Sequence, residues 1–271
     1  MPITSNDDTG KRLRALYDPE GGVLSAFSSK VADYAASRPD YPTALFDTLR
    51  AYCPPGPEVT VADIGAGTGL LTRGLLKVGY RVVAVEPNPT MRAAAESELG
   101  RIDGYRSVEG SAESIPLKAA AGDLVTAAQA FHWFDVDRAR EEFLRVLTPL
   151  GQVALVSNDR VLADPLNAAL DELSSEFGGA KRAAMLAHED RSEVPRFFGS
   201  ATPSEYFWPH EQSLGEEAML SLVFSRSYIP DRNTRDGDQL AERVRALFSR
   251  FAESGRVVVR YRTVAIIGRP V

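Results

Sequence analysis

The chain has few of the residues on which metal and disulfide sites depend. It contains one cysteine, Cys53, and three histidines among its 271 residues. A single cysteine excludes an internal disulfide, and the scattered histidines have no metal-ligand spacing, so we expect no metal. The sequence also lacks an apolar run of about 18 residues and a signal-peptide pattern at its start. We therefore expect a cytoplasmic protein with no membrane partner.

An excess of positive charge is absent as well. The chain has 31 Lys and Arg against 37 Asp and Glu, which gives a formal net charge of −6. This balance argues against a broad basic surface for nucleic acid. Apolar residues make up 44% of the chain and charged residues 25%, which suits one α/β domain with a buried core. We expect a monomer or homodimer.

The segment over residues 59–69 is the most informative part of the chain. Apolar residues that favour a buried strand lead into Gly65, Gly67 and Gly69, and a helical pattern begins at Leu70. Glycine lets a ligand approach the backbone because it has no Cβ. The spacing does not match the G-x-G-x-x-G dinucleotide fingerprint, and no G-K-[ST] follows for a P-loop. The turn thus indicates a ligand of another kind.

A carboxylate follows the next apolar run. Residues 80–85 end on Glu86, about twenty residues after the first glycine, which is the length of a strand–helix–strand crossover. A carboxylate at the end of the second strand can accept hydrogen bonds from both hydroxyls of a ribose. The glycine turn and this acid together indicate a nucleoside ligand without a tightly held pyrophosphate. S-adenosylmethionine belongs to that class.

Two motifs carry a family resemblance. Residues 63–69 resemble motif I of the class I S-adenosylmethionine-dependent methyltransferases, and residues 83–88 resemble motif II. The likeness continues over nearly the whole chain after Phe27. There the chain resembles the small-molecule branch that includes trans-aconitate methyltransferase-like proteins. The further segments that carry it are the Phe27, Lys30, Tyr34, Arg38, Pro39, Tyr41, Pro42 pattern and residues 110–113, 129–134, 147–152 and 225–230.

The resemblance implies an α/β, Rossmann-like fold. Its sheet has seven strands, mostly parallel with an antiparallel last strand, together with an N-terminal helical lid and a helical insertion after strand 5. The apolar pattern predicts strands near 59–64, 80–85, 104–108, 122–128 and 151–157, followed by a β-rich run over 257–268. It predicts helices near 69–78, 88–99, 137–147, 214–225 and 237–253.

We predict a flexible leader over residues 1–22, ordered only around residues 13–17, and a single methyltransferase domain over residues 23–271. The domain divides into a lid of two helices joined by an extended elbow, a cofactor-binding core, a substrate-cap insertion, and C-terminal helices with antiparallel strands. Their respective ranges are 23–57, 58–158, 159–204 and 205–271.

The resemblance implies S-adenosylmethionine as cofactor and S-adenosylhomocysteine as product. The residues expected to bind it are Tyr34, Arg38, Asp63, Gly65, Ala66, Gly67, Glu86, Pro87, Met91, Ser111, Ala112, Glu113 and Gln129. Asp63 is expected to orient the turn, and Glu113 suits a capping role equally well. Position 111 is Ser where the family more often has Asp, which leaves backbone contacts to the adenine amino group. The fork of Arg38 suits the cofactor's carboxylate.

A second group of residues is expected to line the acceptor pocket. It consists of Phe131, His132, Trp133, Arg226 and Tyr228. His132 is the candidate catalytic base, because an imidazole with a pKa near ~6.5 can take a proton from an acceptor, yet a structural role is equally consistent with its place between aromatics. Arg226 beside Tyr228 points to an anionic group on the substrate.

Three functions follow from these residues. The first is transfer of a methyl group from S-adenosylmethionine to an oxygen, nitrogen or carbon atom of a small molecule by in-line displacement. The second keeps the fold and cofactor but catalyses a non-methylating reaction, as a cyclase, lyase or isomerase. The third is a non-catalytic regulator that binds the cofactor.

Overall fold

The computed structural model describes residues 15–20, 22–188 and 191–271 of the chain. Within these residues it forms ten α-helices and seven β-strands. The helices are α1 (Gly22–Ser28), α2 (Val31–Ser37), α3 (Thr43–Tyr52), α4 (Leu70–Lys77), α5 (Pro89–Leu99), α6 (Val136–Val146), α7 (Pro165–His188), α8 (Val194–Phe198), α9 (Glu216–Phe224) and α10 (Arg235–Phe251). The strands are β1 (Thr60–Ile64), β2 (Arg81–Val85), β3 (Tyr105–Val108), β4 (Gly122–Ala128), β5 (Leu147–Arg160), β6 (Ser204–Leu214) and β7 (Val257–Gly268).

The strands form one sheet in the order β3-β2-β1-β4-β5-β7-β6. Strands β1 to β5 pair in parallel, and β7 runs antiparallel to both β5 and β6. Helices α7 and α8 form the insertion after β5. The predicted fold is therefore confirmed: a Rossmann-like, seven-stranded, mostly parallel sheet whose last strand is antiparallel.

The sheet is covered on both faces, which explains the continuous apolar character of its central strands. Successive side chains of β1 point to opposite faces. Val61 packs with Leu45 of α3 and Leu75 of α4, whereas Ile64 packs with Phe143 of α6 on the other face. All five side chains are buried. A third apolar cluster lies between α7, α9, α10 and the start of β7.

The N-terminal helices differ from the prediction in number. Residues 22–52 form three helices, where the apolar spacing predicted two. The additional break falls at Lys30, whose buried Nζ donates to the carbonyl oxygens of Ile229 at 2.9 Å and Pro230 at 3.3 Å. These partners lie about 200 positions later in the chain, so a local pattern does not contain the signal for the break. The predicted elbow between the last two helices is extended at Arg38 and Pro42.

The predicted leader lies mostly outside the described residues, which begin at position 15. Tyr17 is fully buried, and its hydroxyl lies 2.9 Å from Oγ of Ser227. In the insertion, α7 is kinked at Gly179, which has φ +50° and ψ −139°. Among the helices of the described residues, none combines the length and the apolar character that a membrane span needs.

The order of the strands fixes where a ligand can bind. The chain runs outward through β2 and β3 on one side of β1 and through β4 and β5 on the other, so the direction reverses between β1 and β4. Open parallel sheets bind ligands at the carboxyl ends of the strands at such a point. The register pairs Ile64 with Val85 and Asp63 with Thr126. Gly65, Glu86 and Gln129 therefore follow neighbouring strand ends.

Candidate functional site

Two adjoining cavities open at this edge of the sheet. The first has a volume of about 270 Å³ and is lined by the glycine turn and by the residues after β2, β3 and β4. The second has a volume of about 410 Å³ and lies toward β5 and α7. The residues that line both cavities are Tyr34, Arg38, Gln129, Ala130, His132, Arg226 and Tyr228. The two spaces thus meet at the ends of α2 and β4.

The glycine turn brings backbone to the wall of the first cavity. Gly65 and Gly67 have φ of +68° and +58°, a region that side chains with a Cβ rarely adopt. A Cβ at Gly65 would lie 2.7 Å from Cβ of Ala130, so this position has no room for a side chain. A Cβ at Gly67 would meet no atom within 4 Å. Gly67 therefore faces open space in the cavity that it lines.

Asp63 lies beneath this turn and does not line either cavity. Its side chain is buried, and its two carboxylate oxygens accept hydrogen bonds from Oγ1 of Thr72 at 2.6 Å and of Thr126 at 2.8 Å. Burial raises the pKa of Asp63 to about 6, although both hydroxyls lower it. The carboxyl group thus joins β1, β4 and α4 below the glycine turn.

Glu86 is held in the wall of the first cavity by two backbone amides. Its Oε2 accepts from the N–H of Gly67 and its Oε1 from the N–H of Asn88, each at 2.9 Å. The residue is 8% exposed. Burial raises the pKa of the Glu86 carboxyl, and the two backbone hydrogen bonds partly oppose this shift. Each oxygen keeps a further lone pair with which it can accept from a ligand hydroxyl.

The loops after β2 and β3 complete this end of the cavity. Met91 and Ala112 are buried beside it. The carboxylate of Glu113 accepts from the backbone N–H of Asp135 at 2.8 Å, so it also fixes the loop before α6. Asn88 was not predicted as a site residue, yet it lines the cavity, and its Oδ1 caps α5 by accepting from two backbone amides. The position of Asn88 directly after Pro87 was the signal in the sequence that could have identified it as a site residue.

The opposite end of the first cavity is formed by α2 and by the end of β4. The guanidinium of Arg38 lies 4.5 Å from the centre of the Tyr34 ring, and its Nη2 donates to the carbonyl oxygen of Ser225 at 3.1 Å. Gln129 has φ +53°, and its side-chain amide donates to the carbonyl oxygen of Asn158 at 3.1 Å. This left-handed conformation ends β4 sharply, at the point where the two cavities meet.

Aromatic side chains form part of the lining of the first cavity, among them Phe27 and Trp133. Trp133 lies edge-on to Tyr17 at 5.8 Å and to Phe27 at 5.5 Å. The ring centres of His132 and Trp133 lie 5.1 Å apart, and His132 lines both cavities. Phe131 packs on Phe197 and lines only the second cavity. The predicted substrate residues therefore surround the junction of the two cavities.

Most of the predicted cofactor residues are brought together. All of them line the first cavity except Asp63, described above, and Ala66, whose N–H donates to the carbonyl oxygen of Val85 at 3.2 Å. Three arginines of the second cavity were not predicted as site residues, namely Arg160, Arg182 and Arg191. No motif surrounds them, because they come from β5, from α7 and from the loop after it. Within the described residues, no group of three His, Cys, Asp or Glu side chains could hold a metal ion.

The family model of the methyltransferase domain matches residues 62–155. An uncharacterized methyltransferase of Mycobacterium tuberculosis is 34% identical over 244 residues, which cover 89% of this chain and 94% of that relative. An uncharacterized methyltransferase of Schizosaccharomyces pombe is 35% identical over 135 residues, which cover 49% of this chain and 53% of the relative.

Solved structures show the same fold. A structure described as a type II methyltransferase of Anaeromyxobacter dehalogenans aligns with a TM-score of 0.63 at 25% identity, covering 86% of this chain and 98% of that one. The match to the mycobacterial relative extends over nearly the whole chain, and the family model includes the glycine turn and Glu86. The chain therefore belongs to the class I S-adenosylmethionine-dependent methyltransferases, with S-adenosylmethionine as its cofactor.

Proposed function

We propose that this methyltransferase binds S-adenosylmethionine in the first cavity and transfers its methyl group to a small molecule bound in the second. The observation that carries the proposal is the meeting of two separate cavities at His132, Gln129 and Arg226. A transferase of this kind needs two binding spaces that share one wall, so that the donor and the acceptor come together at the junction.

The residues of the first cavity fit the cofactor. A Cβ at Gly67 would enter open space, so glycine leaves room for a ligand against the backbone. The buried carboxylate of Glu86 is oriented by two amides and suits the ribose hydroxyls. Arg38, already fixed on Tyr34 and Ser225, suits the carboxylate of the amino-acid end. These three groups line one cavity at the carboxyl edge of the sheet.

When bound, S-adenosylmethionine supplies the methyl group of its sulfonium, and the sulfur leaves as a neutral thioether that needs no proton. The main task of the protein is then to hold the acceptor atom in line with the methyl carbon and sulfur. Proximity and orientation can lower such a barrier by about 7–11 kcal/mol in favourable cases. We assign this positioning to the junction residues, and we assign to His132 the removal of a proton where the acceptor carries one.

The N-terminal and inserted segments serve in this proposal as the covers of the site. Tyr17 and Phe27 enclose Trp133 from one side. Met185 of α7 is buried and reaches the first cavity from the other. We propose that residues 23–57 act as the lid and residues 159–204 as the substrate cap, which together exclude water during transfer. The finer resemblance to trans-aconitate methyltransferase-like proteins, the oligomeric state and the cytoplasmic location stay predictions.

Two measurements test the proposal in sequence. The first is calorimetric titration of the full chain with S-adenosylmethionine and, separately, with S-adenosylhomocysteine. We expect both to bind with micromolar affinity. The second incubates the chain and S-adenosylmethionine with panels of phenols, amines and carboxylic acids, and it follows the addition of one methyl group by mass spectrometry. Binding of the cofactor with no transfer to any acceptor would contradict the proposed small-molecule acceptor, and absence of binding would contradict the site itself.

A further inference from the structure

The described residues that line the second cavity have a net positive charge, whereas the chain as a whole has a net negative charge. Among the described residues, the lining of this cavity contains five arginines, Arg38, Arg160, Arg182, Arg191 and Arg226, and two carboxylates, Asp159 and Asp171. Five positive and two negative groups leave an excess of three positive charges, whereas the whole chain has a formal net charge of −6. The first cavity, by contrast, balances Arg38 and Arg226 with Glu86 and Glu113. The excess is thus specific to the second cavity.

The centre of this charge is a group of two arginines on one carboxylate. Nη2 of Arg160 and Nη2 of Arg182 donate to the same oxygen, Oδ1 of Asp171, at 3.1 Å and 2.7 Å. One carboxylate cannot neutralise two guanidinium groups. Burial and the nearby charge of Arg226 together lower the pKa of Arg160 to about 10. A third positive charge therefore lies near Arg160.

Arg182 has hydrogen-bonding capacity left over. The residue is 8% exposed, and its buried Nε has no hydrogen-bond partner within the described part of the chain. A buried polar group without a hydrogen-bond partner costs free energy, and this cost is larger for a charged group than for a neutral one. Leaving such a group in the wall of an open cavity is therefore typical of a position that a ligand satisfies.

Besides Arg38, the remaining charged residues of the described lining are Arg191, Asp159 and Arg226. Arg191 donates to the carboxylate of Asp159 and to the hydroxyl of Ser157, each at 2.6 Å. That pair is neutral in sum. Arg226 donates from Nη1 to the hydroxyl of Tyr228 at 3.0 Å. Even if Arg38 is reserved for the cofactor's carboxylate, the described lining residues keep an excess of two formal positive charges.

The apolar part of the lining says what the rest of the ligand is like. Leu155, Leu162, Leu186 and Leu222 line the same cavity, and Leu162 and Leu186 are 55% and 47% exposed there. Exposed leucines beside a cavity favour a ligand with an apolar body. The arginine pair lines the second cavity and not the first, so a group bound to it lies outside the proposed cofactor space.

We propose that the acceptor is an amphipathic anion whose carboxylate or phosphate group is bound by Arg160 and Arg182, with its apolar body against the leucines. This inference rests on the proposed function, because it names the class of molecule that occupies the acceptor cavity. Arginine forks match the geometry of carboxylates and phosphates. The anionic group serves as the anchor that directs the other end of the acceptor toward the junction at His132.

Binding of matched probes to the full chain tests the inference. The chain is saturated with S-adenosylhomocysteine and titrated in the calorimeter with phenylacetate, phenylacetamide and phenyl phosphate. We expect an anionic probe to bind about tenfold or more tightly than the amide, which has the same apolar body. Tighter binding of phenylacetate identifies a carboxylate as the natural group, and tighter binding of phenyl phosphate identifies a phosphate.

Substitutions locate the probe on the arginine pair. Arg182→Met and Arg160→Met are each expected to weaken the anionic probe about tenfold or more while the affinity for S-adenosylhomocysteine stays unchanged. Arg243→Met, which removes one arginine from an exposed pair with Glu176, is the matched control and should change neither affinity. Asp171→Asn has the opposite expectation, because it removes a competing carboxylate: the anionic probe should bind more tightly.

The outcomes separate this inference from the proposed function. Equal binding of phenylacetamide and the anions, no binding of either anion to the saturated chain, or weaker anion binding in Asp171→Asn would each overturn the inference while cofactor binding stands. Failure of S-adenosylhomocysteine to bind would contradict the proposed function and with it the assignment of the anion as the acceptor, whereas the anion titration of the free chain still measures binding at the arginine pair. Thermal unfolding of each variant identifies any that fails to fold, and Asp171→Asn keeps the test decisive if both arginine variants do.

Discussion

The carboxylate of Glu86 accepts a hydrogen bond from the backbone N–H of Gly67 at 2.9 Å, which joins the end of β2 to the glycine turn after β1. The second oxygen of Glu86 is held by the N–H of Asn88 at the same distance. The side chain is therefore oriented by the backbone before a ligand enters. A binding group that is already in position loses little conformational freedom on binding.

Glu86→Gln is expected to weaken S-adenosylhomocysteine binding about tenfold or more, since hydrogen bonds to a charged group contribute about 1.5–3 kcal/mol. An amide has one acceptor oxygen, so its NH₂ group must face one of the two backbone donors. Calorimetric titration measures the change. Glu98→Gln on α5 is the control. It alters an exposed ion pair with Arg73 of α4, and the variant should bind as the wild type does. An unchanged affinity of Glu86→Gln would show that this carboxylate does not contact the ribose.

Gly67→Arg is expected to abolish binding of S-adenosylhomocysteine, because the side chain would occupy the open space in the first cavity. Gly255→Arg is a matched control. Gly255 also has a positive φ, of +73°, and a Cβ there would likewise meet nothing within 4 Å. Both variants carry the strain of a left-handed residue, about 1–2 kcal/mol, so their thermal stabilities should fall by similar amounts.

Only Gly67→Arg should lose the ligand in the calorimeter. If both variants bind S-adenosylhomocysteine as the wild type does, the glycine turn is not the cofactor site. If both lose binding, the loss reflects general destabilisation, and the comparison of their unfolding temperatures shows this directly.

The first cavity could be predicted from the sequence because its parts are local. A buried strand, a glycine turn and a helix follow each other directly, and Glu86 ends the next strand of the same crossover. Each of these features has a signature of a few residues. Parallel pairing then places Gly65, Glu86 and Gln129 at neighbouring strand ends, so knowing the fold class is enough to bring them together.

The charge of the second cavity could not be predicted in this way. Arg160 ends β5, Arg182 lies beyond the kink of α7 at Gly179, and both meet on Asp171. Their convergence depends on how the inserted helix packs on the sheet, and apolar periodicity does not specify that angle. The break at Lys30 has the same origin, because its partners lie near the other end of the chain.

The pKa of Asp63 predicts a dependence of stability on pH. Burial raises this pKa from 3.8 to about 6, so between these values the folded chain holds a proton that the unfolded chain has released. The contribution of the protonated carboxyl is complete below the unfolded pKa and is lost as the pH rises toward 6. Two pKa units correspond to about 3 kcal/mol in the free energy of unfolding.

Asp63→Asn lacks this titration and is the comparison that isolates it. Urea unfolding of the wild type and of the variant is measured at about pH 4 and about pH 7. We expect the difference between their free energies of unfolding to shift by about 2 kcal/mol in favour of the variant at the higher pH, since part of the full effect is already lost at pH 4. A difference that stays constant over this range would show that Asp63 has an ordinary pKa in the folded chain.

His132 lies where the two cavities meet, and its substitution separates a catalytic from a structural role. If it acts as the base, His132→Ala should lower kcat for a proton-bearing acceptor by about 10²–10⁴-fold and leave the affinity for S-adenosylhomocysteine unchanged. The fall of kcat at acidic pH should also disappear in the variant, because a protonated imidazole cannot accept a proton. His210→Ala is the control, since His210 of β6 lines neither cavity. An unchanged kcat together with a lower unfolding temperature would assign His132 to the packing around Trp133 instead.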